Sequence, residues 1–565
     1  MSTAPSYAPL TQSQLLIWTG QELDPEAPHY NMALLWDIRG KVDAGAFSRA
    51  FRELVQSSDA LRTVFEVREG LPAQRVLPEA PAPLERLELP DAGAVRSWAL
   101  ERCRQPFRLD LCCYDSALIR VSDQRWFWFL NQHHLITDAW GVAVLYHAQL
   151  ERYRRLTCRS TNEPKPLPPF ADYRRYEQRF RQSPTFAQTQ SHWNSQAESL
   201  PPPPKLYGRS PRHARPAASR HSLDLGPDRS ARLRTLLAEP DLHTLTPDLS
   251  LFTTFATLLF AFLAKTGARE DLSIGTPVHN RPTPAFKNTP GLFVEFFPLR
   301  AQVRAEDSLG ALYQHVRSAY LEFLRHARPG ASNPALHRSF NAVLNYIHAA
   351  FEPFDGLPTR SEWLHPGSVD PHHHLRLHVH DFDRQGSIQL HFDLNAEVFP
   401  EALRPEVPLH FLRLLDAFLE DRSRPLRSIG LLDFETWAEK TFPTPPPPPA
   451  PEKSLFQLPE FEGWAQDPAL RCGDRQWTYG ELEAFSRALA ARLRALGVGA
   501  GQVVGVHLRR CLELPGVLYG VWRSGAAFLP LPADQPPGRL STILQDARPA
   551  ALIASAELAA ALEPP

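Results

Sequence analysis

No sign of charge dominates this chain: 61 Lys plus Arg face 62 Asp plus Glu among 565 residues, leaving a net charge of −1. A global basic field that would draw it to nucleic acid or to an anionic membrane is therefore absent. The basic stretch over residues 209–220 reads most simply as a solvated loop. Cysteine is sparse. The six thiols, Cys103, Cys112, Cys113, Cys158, Cys472 and Cys511, show neither a CxxC pair nor another ligand spacing, so buried thiols without disulfides are expected. A leader is lacking too, because Met1-Ser2-Thr3-Ala4-Pro5 has no basic region followed by an apolar core. No uncharged apolar run reaches membrane-spanning length, and the longest, 249–263, is short enough for a buried helix. These absences predict a cytoplasmic globular protein with no nucleic-acid or membrane partner. With 43% hydrophobic residues, the chain has ample material for three or four domain-sized units.

Proline punctuates what is there. Pro201 to Pro204, followed by an Arg/Pro/Ala/Ser stretch to Arg220, separates two mixed regions. In the first, strands are expected over 33–39, 116–121 and 125–130, and helices over 44–57 and 94–104. In the second, a long apolar helix over 249–265 precedes strands over 271–275, 340–347, 375–382 and 387–394. A second break is plainer: Pro445 to Pro449 are five consecutive prolines, a stiff spacer outside any packed layer. The expected division is an N-terminal lobe over 1–185, an inter-lobe bridge over 186–221, a second lobe over 222–435, a Pro-rich linker over 436–455 and a last domain over 456–565. The fold class is α+β for the two lobes.

Chemistry concentrates at Asn131-Gln132-His133-His134-Leu135-Ile136-Thr137-Asp138-Ala139-Trp140, which puts two adjacent imidazoles and a carboxylate on one short turn. A buried strand precedes it and an amphipathic helix over 141–156 follows, so the histidines stand where a strand runs out and can face a cleft. Histidine titrates nearest neutrality, which suits it to acid-base work. The plainer reading makes Asp138 a helix cap and both histidines satisfied core groups.

The turn resembles the HHxxxDG signature of condensation domains from nonribosomal peptide synthetases, and it has companions in the family's order. Leu10-Thr11-Gln12-Ser13-Gln14-Leu15-Leu16-Ile17-Trp18 and Asp59-Ala60-Leu61-Arg62-Thr63-Val64-Phe65 come before it. Phe170-Ala171-Asp172-Tyr173, Ser191-His192-Trp193, Ile274-Gly275-Thr276-Pro277-Val278-His279-Asn280-Arg281 and Gly291-Leu292-Phe293-Val294 come after it. The resemblance covers residues 8 to about 435. It implies two chloramphenicol-acetyltransferase-like lobes forming a V-shaped pseudo-dimer with the active site at the base of their cleft. Beyond the spacer, Gln476-Trp477-Thr478-Tyr479-Gly480-Glu481-Leu482 and Trp522-Arg523-Ser524-Gly525 resemble the opening of an α/β adenylation domain. That family's phosphate loop and catalytic lysine would lie beyond residue 565, so this partial domain is expected neither to bind ATP productively nor to activate an amino acid.

What the resemblance implies about activity is amide bond formation between an acyl or peptidyl thioester donor and an aminoacyl thioester acceptor. Both are carried on the 4′-phosphopantetheine arms of carrier proteins, and no cofactor takes part in the step itself. By resemblance His134 is the active-site residue, either positioning the attacking amine or accepting its proton. His133 points back into the lobe, and Asp138 pairs with Arg281. Arg62 is a further structural support, and Ala139, Trp140, Gly141 and Glu295 belong to the tunnel or latch. Two departures stand out. Ala139 replaces the family's glycine, which means either an ordinary backbone with activity intact or a narrowed site. Glu295 replaces an asparagine; it could read substrate, but surface exposure is the simpler expectation.

The histidines His372, His373, His374, His378 and His380 suggest zinc, but no closed set of four ligands is evident and Arg376 falls on the same strand face. No metal is expected, and Asp381 with Asp383 makes no convincing carboxylate pair. Epimerisation domains share the double histidine but follow a carrier domain, and heterocyclisation domains replace the histidines with aspartates. A catalytically silent domain that recruits a carrier protein or tailoring enzyme is the alternative that Ala139 favours. A free-standing acyltransferase fits the appended adenylation-like segment poorly. With no upstream carrier in the sequence, the donor is expected on a separate carrier protein or as acyl-CoA, and the acceptor on a downstream aminoacyl carrier.

Overall fold

The computed structural model describes residues 7–211, 217–347, 351–381, 386–432 and 461–560. The five-proline spacer, the 436–455 linker, Phe382 and Asp383 lie outside the described residues. The chain divides into two compact units, Met1–Asp433 and Phe434–Pro565.

The first unit is built on two large sheets, with a small third one of Ala8–Pro9, Leu71–Val76 and Thr63–Arg68. The first has the order Thr359–Leu364, Asn31–Arg39, Arg125–His133, Tyr114–Ser122 and Glu85–Glu88. Its pairs are antiparallel except the last, which is parallel. The central strand Arg125–His133 is buried from Trp126 onward because both faces are covered. On one face Trp36 and Trp128 stack with centroids 4.5 Å apart under the helices Ala44–Ser57 and Ala139–Leu156. On the other, Leu35, Phe127 and Phe129 pack on Val95 and Ala99 of the helix Ala92–Cys103. A strand covered on both sides has no polar face to alternate, which explains the unbroken Trp-Phe-Trp-Phe-Leu run. Each such side chain contributes roughly 1.5–3 kcal/mol by leaving water.

The second sheet runs Val294–Gln302, Asp271–His279, Ala342–Ile347, Leu375–His380, Gln389–Asn395 and Ala218–Asp224. The helices Pro247–Gly267, Leu309–His326 and Glu406–Glu420 share its core. Pro247–Gly267 is long and apolar enough to cross a membrane, but every residue from Ser250 to Leu263 is buried inside this lobe. A helix at the centre of a domain needs no polar face.

Two segments change lobes relative to the sequence division. The strand Thr359–Leu364 follows a strand of the second sheet yet pairs with Asn31–Arg39 of the first, and Phe351 and Phe354 pack into the first core. Conversely, the 186–221 segment buries Phe186 and Trp193 in the second core, and the edge strand Ala218–Asp224 runs across the boundary drawn at residue 222. Local pattern reports that a segment is a strand but not which sheet it joins.

In the second unit, Thr478 and Glu481 form a capping box at the start of the helix Tyr479–Ala495. A parallel sheet orders Ala527–Pro530, Val503–His507 and Ala551–Ala554 beside the helix Leu514–Ser524, giving α/β character.

Candidate functional site

The strand Arg125–His133 delivers both histidines to the seam between the lobes. Its ladder persists through the first of them and its continuation: the His133 amide donates to the Cys113 carbonyl at 2.8 Å and that of His134 to Tyr30 at 2.9 Å. The chain then turns through His134–Ile136 into Asp138, which caps the helix Ala139–Leu156. The helix Gln12–Leu23 holds this turn from outside, because Gln14 Nε2 donates to the Leu135 carbonyl at 3.0 Å and Gln21 Oε1 meets His133 Nε2 at 3.1 Å.

His133 is a structural group. Its Nδ1 accepts the Leu135 amide at 3.2 Å, so the ring proton sits on Nε2 and is donated to Gln21. Burial pushes its pKa down to about 3, and the ring stays neutral. His134 differs. It is half-buried and lines a cavity of about 320 Å³ with Tyr30, Ala139, His279, Asp370 and Arg376. Its Nδ1 is enclosed without a hydrogen-bond partner among the described residues, leaving Nε2 as the nitrogen open to the cavity. Burial lowers its pKa, opposed by the Asp138 charge, so the imidazole is neutral at pH 7 and able to accept a proton.

Asp138 combines the two roles that the sequence offers as alternatives. Fully buried, it accepts the Gly141 amide on Oδ1 at 2.7 Å as a helix cap. On the same oxygen it takes Arg281 Nη2 from the second lobe at 2.8 Å, while Oδ2 accepts the Phe293 amide at 3.0 Å. Burial acts to raise its pKa, but Arg281 and these N–H donors hold it below the usual carboxylate range. Arg281 in turn donates Nη1 to the carbonyls of Phe286 and Thr289 at 2.6 and 2.7 Å and lies 3.8 Å over the Phe293 ring. Each end of the pair is thus fixed to its own lobe.

The neighbouring positions divide. Ala139 is the first residue of an ordinary helix, without a positive φ, and lines the cavity. Nothing in the backbone there requires glycine. Gly141 is where space is short, because an added Cβ would lie 3.3 Å from both the N and the O of Gly291. Trp140 donates Nε1 to the Lys287 carbonyl at 2.7 Å, another link between lobes.

Two expectations need correction. Glu295 is not at the surface: it is 2% exposed. It accepts Asn280 Nδ2 at 3.1 Å and the amides of Gly330 and Ser332 at 2.7 and 3.2 Å, because the loop around Gly330 covers that face of the strand. Arg62 does not reach the histidine turn. Its Nη1 donates to the carbonyls of Leu77 and Pro78, and among the described residues no hydrogen bond links its guanidinium to the histidine turn.

Sequence reasoning missed the opposite wall of the cavity. Tyr30 donates its hydroxyl across the seam to Asp370 Oδ2 at 3.1 Å. Arg376 donates Nε and Nη2 to His373 Nδ1 at 3.1 and 2.7 Å, so it is paired with a neutral ring. The dense histidine run pointed at this wall but suggested a metal. The structure gives those rings other partners: His374 Nδ1 meets Asn341 Nδ2, His378 meets the Arg220-bound carboxylate of Asp393 at 2.9 Å, and His380 packs on His391. Among the described residues, no group of three or more His, Cys, Asp or Glu could hold a metal ion. Asp381 pairs with Arg234 at 2.8 Å.

Comparison with known proteins adds the following. Residues 6–439 match the family model described as "Condensation domain", and residues 460–564 match "AMP-binding enzyme". Among curated proteins, surfactin synthase subunit 1 of Bacillus subtilis is 27% identical over 572 residues, covering 95% of this chain and 15% of the relative. The isonitrile lipopeptide synthase of Streptomyces coeruleorubidus is 28% identical over 578 residues, covering 98% of this chain and 38% of the relative. This chain therefore spans well under half of those relatives. Among solved structures, the first condensation domain of the calcium-dependent antibiotic synthetase in complex with a substrate analogue is similar with a TM-score of 0.67 at 22% identity, over 76% of this chain and 100% of that one. A variant of the starter condensation domain of rhizomide synthetase, in complex with C8-CoA and Leu-SNAC, matches at TM-score 0.67 and 22% identity, over 76% and 98%.

Proposed function

This chain belongs to the condensation-domain family, and from that premise we propose that its first unit forms amide bonds between a thioester-borne acyl or peptidyl donor and an aminoacyl thioester acceptor. The observation that carries the reading is His134: a neutral imidazole with one nitrogen open to a cavity at the seam of two lobes. In the proposed step the acceptor nitrogen attacks the donor carbonyl carbon and a C–N bond forms. The C–S bond then breaks, and the departing sulfur takes up the proton that the nitrogen gives up, with His134 Nε2 as its acceptor and carrier. An α-amino group with a reference pKa of about 7.7 to 8.0 has a useful neutral fraction at pH 7, so strong base catalysis is not compulsory. Orientation of two reactants supplies roughly 7–11 kcal/mol, against about 3–5 kcal/mol for a general base. Positioning is the larger contribution.

The donor is proposed to arrive on a carrier protein or as acyl-CoA, and the acceptor on a carrier protein, in the cytoplasm. Intact-mass analysis of an aminoacyl-loaded carrier protein, incubated with this protein and a panel of acyl-CoA and acyl-carrier donors, tests this. A gain of one acyl mass that disappears with His134→Ala is the expected result. No gain across the panel with carrier binding retained overturns it in favour of a silent recruitment domain.

A further inference from the structure

The strand Leu375–His380 sends Leu375, Leu377 and Val379 into the second core and leaves Arg376 and His378 facing the cavity that His134 lines. A guanidinium carries five N–H groups and no acceptor. Arg376 spends two of them, from Nε and Nη2, on His373 Nδ1 at 3.1 and 2.7 Å. That acceptor is held in place. His373 is buried, its ring stacks on Phe340 with centroids 5.7 Å apart, and burial, with the Arg376 charge beside it, pushes its pKa down to about 3. The outer end of the guanidinium, Nη1 with the second N–H of Nη2, has no hydrogen-bond partner among the described residues, and the side chain is only half-buried.

The carboxylates on the cavity wall are committed elsewhere. Asp138 holds Arg281, Asp393 holds Arg220, and Glu295 takes Asn280 and two backbone amides. Asp370 attracts Arg376, yet among the described residues no ion pair joins them within 4 Å; its Oδ2 accepts the Tyr30 hydroxyl at 3.1 Å and its Oδ1 the His372 amide at 2.9 Å. Arg338, exposed and also lining the cavity, adds a second positive charge with no ion pair among the described residues. Arg376 is thus a preorganised cation with one planar edge open to the cavity. The reacting end is near. Tyr30, whose hydroxyl reaches Asp370, takes the His134 amide on its own carbonyl at 2.9 Å, so a single residue joins the histidine turn to the opposite wall.

We propose that Arg376 selects the substrate: its open edge binds a carboxylate on the acyl or aminoacyl group, so that the first unit takes an acyl chain ending in a carboxylate or an acidic amino acid. A carboxylate matches that edge with two parallel N–H···O bonds, whereas a carboxamide of the same shape brings no charge to it. The cavity of about 320 Å³ suits a short chain. That the carboxylate belongs to a thioester substrate rests on the condensation reading; that Arg376 binds it does not.

Isothermal titration calorimetry of the full chain with phosphopantetheine amides, in which NH replaces the thioester sulfur so that no transfer occurs, tests binding alone. The donor panel is malonyl, succinyl and glutaryl, each beside its half-amide. The acceptor panel is aspartyl beside asparaginyl and glutamyl beside glutaminyl. At least one acid should bind about 10- to 100-fold tighter than its amide, the difference expected of hydrogen bonds to a charged group, and the panel in which it falls tells donor from acceptor. Arg376→Met should erase that preference and leave the affinity for the amide within about twofold. If this variant does not fold, Arg376→Gln carries the same comparison. No preference for any acid in either panel, or a preference that survives the loss of Arg376, overturns the proposal. So does a fall in transfer rate of equal size for acid and amide thioesters in Arg376→Met, the mark of a guanidinium acting at the reacting carbonyl instead. An Arg376-dependent preference in a protein that transfers none of the corresponding thioesters overturns the condensation reading and leaves the carboxylate site standing.

Discussion

Replacing Arg281 with methionine is the sharpest test of how the site is held. Methionine keeps the length of the side chain and its contact with the Phe293 ring, now 3.8 Å from the guanidinium, but removes the charge. Asp138 would then be a fully buried carboxylate with only the Gly141 and Phe293 amides, and the Phe286 and Thr289 carbonyls would lose their donor. Breaking a buried ion pair from one side costs about 3–5 kcal/mol. The opposite substitution is gentler: Asp138→Asn keeps an oxygen for the Gly141 cap and leaves Arg281 with its carbonyls. The pair should therefore be non-additive, the double variant being more stable than Arg281→Met alone by roughly 1–3 kcal/mol. The pH dependence has a definite sign. In wild type the Asp138 pKa is depressed, so its contribution is present above the unfolded value and lost as pH falls. Without Arg281, burial is opposed by little more than the two amides and the pKa rises, so the Arg281→Met penalty should shrink on moving from pH 7 to pH 4. Urea unfolding of all four proteins, followed by tryptophan fluorescence, measures this. An Arg281→Met cost below about 1 kcal/mol, or strict additivity, would refute the reasoning.

The remaining predictions concern the turn itself. His134→Gln should lower the transfer rate by about 10²-fold or more with little change in unfolding midpoint, measured by single-turnover mass analysis; in wild type the rate should decline as the acceptor amine protonates below about 7.7 to 8.0, and a second, steeper fall from protonating His134 should come only below pH 6.5, because burial lowers that pKa. Ala139→Gly should leave the rate within about twofold and cost no more than about 1 kcal/mol, since the backbone there is ordinary helix; a large gain in rate would identify the methyl as a block. Gly141→Val should cut activity more than tenfold while far-ultraviolet circular dichroism keeps its helical signal. Its new carbons would meet the backbone of Gly291, which cannot swing aside.

How much of this was legible depends on how local each signal is. His133, His134 and Asp138 follow one another on a strand, a turn and a helix start, so pattern alone placed them at a strand end. Arg281 was reachable only through resemblance, because nothing in its own surroundings points across 143 residues to Asp138. Glu295 was misjudged for a related reason. On an edge strand a carboxylate is ordinarily solvated, and only the Gly330 loop, contributed 35 residues later, covers it. The strand Thr359–Leu364 was not expected at all, and its partner Asn31–Arg39 lies more than three hundred residues earlier. Tyr30 and Asp370 carry no motif, and their meeting is a product of the seam.

The seam joins the lobes through an aromatic cluster, Phe170 and Tyr173 against Phe286 and Phe293, and through directional polar contacts, and the polar contacts bear on function. Asp138 with Arg281, Tyr30 with Asp370, Trp140 with the Lys287 carbonyl and Gln12 with the Ser332 carbonyl each join one lobe to the other. An apolar seam of similar area would be at least as stable, since a buried ion pair is often matched or bettered by packed hydrocarbon. It would also tolerate sliding, because burial has no direction. Hydrogen bonds do not tolerate it: a displacement of about 1 Å carries a donor from bonding distance to none. In a reaction where orientation outweighs proton transfer, a misplacement of that size costs about 10²-fold in rate. The polar contacts of the seam are therefore best understood as holding the register of His134 against the second lobe, with the apolar cores and the aromatic cluster supplying stability that has no direction.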